Sequence, residues 1–195
     1  MQDEPNMGQG LHALTLYWSG TGNTEKVAKT IHNTLERQNV TATIMKVEEA
    51  KEVELYEYSL VFLGAPSYMW LPPEPVQRFI KDKMKLHNNR GDIRLCAPKL
   101  PGKRAVVFCT YSGPHTGLKE AVPACKYMGQ FFEHLGFDVT AEWYIVGEFH
   151  GSEDRSTKGC LGDIRGRPNT EDLNKVEEDV RRLISSFHAM HDVEG

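Results

Sequence analysis

The stretch Leu11-His12-Ala13-Leu14-Thr15-Leu16-Tyr17-Trp18-Ser19-Gly20-Thr21-Gly22-Asn23-Thr24-Glu25-Lys26-Val27-Ala28 decides how the rest of this chain is read. Leu11–Trp18 is an apolar run closed by Ser19-Gly20, which suits a buried strand. Beyond Gly22, the residues Val27, Ala28, Ile31 and Leu35 recur at helical spacing, while Glu25, Lys26, Lys29 and Glu36 point elsewhere. Ser19 to Thr24 therefore join a strand to a helix N-terminus, where unpaired backbone N–H groups and the helix dipole favour an anion. Gly20 and Gly22 let the backbone wrap closely, and Ser19, Thr21 and Thr24 offer hydroxyls. No Lys-Ser/Thr follows, so this is not the nucleoside-triphosphate loop, and Glu25 stands where a dinucleotide fingerprint needs its third glycine. A neutral, hydroxyl-rich loop suits one terminal phosphate monoester. The competing reading is a tight turn whose Ser and Thr only cap the helix.

Strand and helix patterns alternate outward from this segment. Asn39 ends the first helix, and Val40–Val47 is β-branched and reads as a second strand. The acidic stretch with Glu48, Glu49, Glu52, Glu54 and Glu57 reads as a solvated connection with room for a helical turn. Leu60–Gly64 is a third strand, and Pro75 suits the first turn of a helix whose face is Val76, Phe79, Ile80 and Met84. Arg104–Tyr111 is a fourth strand. A helix with Cys125, Met128, Phe131, Phe132 and Leu135 on one side follows and ends at Gly136. Val139–Val146 is the fifth strand, and the polar stretch 148–167 is too long for a simple connection. A last helix starts near Thr170 with a face of Leu173, Val176, Val180, Leu183, Ile184 and Phe187. Five such alternations call for a parallel sheet covered on both faces, with ligands beyond the carboxyl ends of the strands.

The segment Tyr17–Ala28 resembles the FMN-phosphate motif of flavodoxins, (S/T)-x-T-G-x-T, with its flanks intact. The resemblance extends over residues 11–190. It implies an α/β fold, a flavodoxin-like doubly wound five-stranded parallel sheet of order 2-1-3-4-5 with helices on both faces. It also implies FMN at the strand ends, with Ser19, Gly20, Thr21, Gly22, Asn23 and Thr24 at the phosphate. The expected organisation is a loose tail over residues 1–10 and one FMN-binding domain over 11–190.

Two further loops are expected to hold the flavin ring. Pro66, Ser67, Tyr68, Met69 and Trp70 follow the third strand, and large apolar side chains in a loop need a partner. A flat ring stacked on or edged by Trp70 or Tyr68 supplies one; a subunit interface or packing under a neighbouring loop are the alternatives. Thr110, Tyr111, Ser112, Gly113, His115 and Gly117 follow the fourth strand and fit close backbone approach to a polar ring edge. His115 is open to two readings, a surface residue or a participant at the hydride site, and no catalytic residue is assigned. Neither loop contains Asp or Glu, unlike electron-carrier flavodoxins, so a less depressed potential for the reduced flavin is expected. The proline-rich second loop and Asp163-Ile164-Arg165-Gly166-Arg167-Pro168-Asn169 also resemble flavodoxin-fold reductases and flavoproteins of anaerobes.

The bulk properties are those of an ordinary soluble protein. The 195 residues are 39% hydrophobic and 26% charged, with a formal net charge of −4. No basic stripe points to nucleic acid, no apolar run spans a bilayer, and the first ten residues lack the pattern of a signal peptide. Cys96, Cys109, Cys125 and Cys160 stand apart without metal spacing and read as reduced, mostly buried thiols in a reducing cytoplasm; neither a metal nor an iron–sulfur cluster is expected. Two function classes remain. One is an electron carrier between redox proteins, docking through a charged face supplied by the glutamates of 48–57. The other is an NAD(P)H-dependent oxidoreductase reducing a quinone or similar acceptor, with 148–167 forming a pocket in which Arg155, Arg165 or Arg167 faces a nucleotide phosphate. A flavin-storing or flavin-sensing module is a third possibility. An exposed Trp70 would favour a homodimer that covers it.

Overall fold

The computed structural model describes residues 10–191. Of the expected tail, residues 1–9 lie outside the described residues. Five strands, β1 (His12–Tyr17), β2 (Thr41–Lys46), β3 (Leu60–Pro66), β4 (Arg104–Tyr111) and β5 (Asp138–Val146), form one sheet. Its order is β2-β1-β3-β4-β5 and every pairing is parallel. The helices are α1 (Asn23–Arg37), α2 (Glu74–Arg90), α3 (Val122–His134), the short α4 (Glu153–Thr157) and α5 (Thr170–His191).

Alternation along the central strands builds two cores, because successive side chains leave opposite faces of a strand. Leu14 and Leu16 of β1, Val61, Leu63 and Ala65 of β3 and Ala105, Val107 and Cys109 of β4 pack with Val76 and Phe79 of α2 and Met128, Phe131 and Phe132 of α3. Ala13 and Tyr17, Leu60 and Phe62, and Val106 and Phe108 pack on the other face, with Val27, Ile31 and Leu35 of α1 and Val176, Val180 and Ile184 of α5. Strands buried on both faces are near-continuously apolar, which is why their runs stand out in the sequence.

Helix ends follow local chemistry. Asn39, with φ of 58°, turns the chain out of α1, and Gly136, with φ of 80°, does so after α3. Pro75 lies in the first turn of α2 and Pro123 in that of α3. Asn169 and Asp172 close the start of α5 reciprocally: Asp172 N–H donates to Asn169 Oδ1 at 3.1 Å, and Asn169 N–H to Asp172 Oδ2 at 2.9 Å.

The acidic stretch holds two short 3-10 turns, Val47–Glu49 and Leu55–Glu57, as its sequence allowed; Glu48, Glu49, Glu52 and Glu57 are exposed, and Glu54 is half-buried and paired with Arg90 at 2.5 Å. One sequence expectation is corrected. The cysteines are not mostly buried: Cys109 and Cys125 are, whereas Cys96 and Cys160 are exposed, lying in irregular segments away from the sheet. Of the three arginines expected at a pocket formed by 148–167, Arg155 lines a cavity at the strand ends and Arg165 and Arg167 do not. Arg165 pairs with Asp163 at 2.6 Å and holds that carboxyl down at about 2, while Arg167 pairs with Asp172.

Candidate flavin site

The carboxyl ends of β1, β3, β4 and β5 deliver their loops to one cavity of about 680 Å³. That volume lies in the range of roughly 300–1,000 Å³ that encloses cofactor-sized ligands.

One end of the cavity is the loop after β1. Ser19 Oγ accepts the N–H of Gly22 at 3.1 Å and closes the loop on itself. Gly22 precedes α1 with φ of 93°, a left-handed conformation that costs glycine little. No side chain caps α1, which rules out the reading in which Ser and Thr serve only as caps. The first backbone bond of the helix is from Lys26 N–H to Gly22 O at 3.0 Å, so the N–H groups of Asn23, Thr24 and Glu25 find no acceptor among the described residues. A wall of unpaired N–H groups beside Ser and Thr hydroxyls fits a phosphate. Two longer contacts brace it. The hydroxyls of Thr24 and Thr110, both buried, meet at 2.8 Å, and Asn23 Nδ2 donates to Glu148 O at 3.0 Å.

The loop after β3 forms a different wall. Tyr68 and Leu71 pair through N–H···O bonds of 2.9 and 3.2 Å, which places Met69 and Trp70 in the two central positions of a tight turn. Both have positive φ, 49° and 69°, where Asn or Gly is usual. The turn leaves Met69 82% and Trp70 56% exposed. Tyr68 folds back, edge-on to Trp18 with ring centroids 5.9 Å apart, and burial pushes its phenol pKa up. Its hydroxyl passes so near Gly20 that a Cβ there would lie 2.8 Å away.

The loop after β4 completes this side. Ser67 N–H donates to Thr110 O at 2.9 Å, which ties the two ring loops together. Tyr111 is half-buried, with its pKa raised mainly by burial.

All the nominated residues line the cavity except Gly22 and Gly117, which shape the loops from behind. The sequence reading missed Glu120 and Gly147, while the segment 148–167, expected to form a pocket, lines this one through Glu148, Phe149, His150, Gly151 and Arg155. Glu120 bears on the expectation drawn from acid-free loops. Its carboxylate accepts the N–H groups of His115 and Thr116 at 2.8 and 2.6 Å, bringing negative charge to the ring end from outside the loop sequence. His115 itself is exposed and lines the rim. The wall after β5 carried a signal in its position, since β5 is parallel to β4 and ends at the same edge of the sheet.

The flavodoxin family model matches residues 16–177. The chain belongs to the flavodoxin family. No curated protein matches it. Flavodoxin 2 from Bacillus cereus is similar in structure, with a TM-score of 0.62 at 19% identity over 90% of this chain and 99% of that one. A flavodoxin described as WrbA-like, from Agrobacterium tumefaciens, gives 0.56 at 14% identity over 88% and 94%. The rubredoxin oxygen:oxidoreductase of Desulfovibrio gigas gives 0.59 at 13% identity over 91% of this chain but 36% of that one. The flavodoxin fold, FMN as cofactor and a redox role follow from family membership, and the unpaired N–H wall and adjoining aromatic turn fit that cofactor. Among the described residues, no helix is long and apolar enough to cross a membrane.

Proposed function

We propose that this flavodoxin-family protein carries electrons between redox proteins through one FMN. Ser19, Gly20, Thr21, Asn23 and Thr24 bind its phosphate, with Gly22 setting the turn. Pro66, Ser67, Tyr68, Met69 and Trp70 line one side of its ring, and Thr110, Tyr111, Ser112, Gly113 and His115 the other. FMN supplies the redox chemistry; the protein orients it, excludes water from one side and sets the surrounding charge. Burial raises the pKa of Tyr68 and of Tyr111, so both phenols stay neutral and add no charge beside the ring.

The observation that carries this reading is the apolar rim. Tyr68, Met69, Trp70 and Leu71 are 48%, 82%, 56% and 41% exposed in a row at the cavity mouth. Such a rim suits brief docking of another protein face over a flavin edge, and a second copy of this chain is one candidate to cover it. Free thiols at all four cysteines support a reducing cytoplasm as its compartment.

A second reading has its own support. The wall from Gly147 to Arg155 extends the cavity lining beyond the two ring loops and offers Arg155 to a small acceptor or to the phosphates of NAD(P)H. Anaerobic mixing of the FMN-loaded protein with NADPH and with NADH separates the two. A carrier stays oxidised with either nucleotide and is fully reduced by dithionite. Rapid bleaching of the visible flavin band by a nucleotide would establish the oxidoreductase instead.

A further inference from the structure

The phosphate loop is neutral, yet the wall beside it is not. Asn23 of that loop is latched by the chain after β5 at both ends of its amide. Its Nδ2 donates to Glu148 O at 3.0 Å, which leaves Oδ1 as the acceptor facing His150 Nε2 at 3.4 Å. With Oδ1 the acceptor, His150 Nε2 is the donor of this contact. The next link is equally defined. Ser156 Oγ lies 3.0 Å from both the N–H and the carbonyl of Phe149, and the Arg155 guanidinium lies over the Phe149 ring, 4.9 Å from its centroid. A continuous set of contacts thus joins Asn23 to His150, Phe149 and Arg155, and all four line the cavity.

Arg155 also differs from the other cations of its segment. Lys158 pairs with Asp154 at 2.8 Å, Arg165 with Asp163, and Arg167 with Asp172. Among the described residues, no carboxylate lies within the 4.0 Å of an ion pair from Arg155. The carboxylate of Glu148, on the same wall, is engaged by the N–H of Gly166 at 2.8 Å. An arginine held by an aromatic face and lacking a carboxylate is prepared for an anionic oxygen.

We propose that Arg155 supplies positive charge to the phosphate end of this site, on a wall that His150 fastens to Asn23, and makes the protein select FMN over riboflavin. The neutral loop gives shape and N–H donors; the chain after β5 gives charge. The proposal rests on the reading of the cavity as the FMN site, with the phosphate at residues 19–24.

Titrating the apoprotein with FMN and, separately, with riboflavin tests it, because the two ligands share the ring and differ in the phosphate. Flavin fluorescence quenching gives each affinity, and thermal melting of each apoprotein checks its fold. Arg155→Gln is expected to weaken FMN about tenfold and leave riboflavin unchanged, the scale of one lost charge-assisted contact. His150→Gln, which keeps a donor for Asn23, is expected to leave both affinities within about twofold. Arg155→Lys is expected to retain most of the FMN affinity. Equal weakening of both ligands would assign Arg155 to the ring or to the fold, and no change in either would place it outside the site; both outcomes overturn the proposal. A wild-type protein that binds FMN no tighter than riboflavin would overturn the phosphate reading itself, whatever the variants do.

Discussion

The loop after β1 and the turn after β3 meet at Gly20 and Tyr68, and they use backbone conformation in opposite ways. The first places its left-handed residue at Gly22, where no side chain resists, and closes with a local bond from Gly22 N–H to Ser19. The second places Met69 and Trp70 in left-handed conformations at a cost of about 1 kcal/mol or more each. The first leaves backbone N–H groups for a ligand; the second presents aromatic and apolar surface. A phosphate needs donors in fixed positions, so its loop is relaxed and preorganised. A ring face needs flat side chains held out from the sheet, and here that display is accompanied by strain.

The largest effect is expected where the two regions touch. Gly20→Val would put side-chain atoms into the space of the Tyr68 hydroxyl and the Trp18 ring, whose nearest atoms lie 2.8 and 2.9 Å from a Cβ at that position. Overpacking of this kind costs about 1–3 kcal/mol, so FMN affinity is expected to fall about ten- to a hundredfold. Affinity within a factor of two of wild type would show that the turn is not seated against the loop.

Thr24→Val comes next. It removes a buried hydroxyl and leaves Thr110 Oγ1 without its 2.8 Å partner, a loss of about 1–2 kcal/mol in chemical denaturation. An unchanged denaturation midpoint would mean that the bond adds nothing to the bracing of the loop.

Met69→Asn works in the opposite direction. Asn tolerates a positive φ, as Asn39 does at the end of α1, and Met69 has little packing to lose, so the apoprotein is expected to gain about 0.5–1 kcal/mol. A loss of stability would show that the turn is not strained.

The smallest effect is the alkaline limb. Burial raises the Tyr68 pKa, so the stability tied to its neutral form is fully present below the ordinary value of about 10 and is lost as pH rises through the folded value. The phosphate loop has no ionisable side chain to do the same. Tyr68→Phe is therefore expected to lose slightly less stability than wild type above pH 10. Superimposable alkaline limbs would contradict the burial of that phenol.

The same contrast explains what was legible in the sequence. Residues 19–24 act through bonds within one short segment, so their pattern survives in the linear sequence. The sheet was legible because strands buried on both faces are unbroken apolar runs. Tyr68 and Trp70 stood out as aromatics with no local reason to be in a loop, but the left-handed turn that displays them depends on cross-bonding between Tyr68 and Leu71 and has no Asn-Gly signal. Glu120 was not legible, and of the wall from Gly147 to Arg155 the sequence showed only an overlong polar segment with Arg155 in it, not its seat against Asn23. Their place depends on a 3-10 turn folding back on the β4 loop and on β5 ending beside Asn23, facts of three-dimensional register that spacing along the chain does not encode.

Fluorescence titration of the wild-type apoprotein with FMN tests the central claim most directly. The account predicts saturation at one FMN per chain, with quenching of both flavin and tryptophan emission as the ring settles between the two ring loops near Trp18 and Trp70. Absence of saturable binding, or binding that leaves tryptophan emission unchanged, would contradict it.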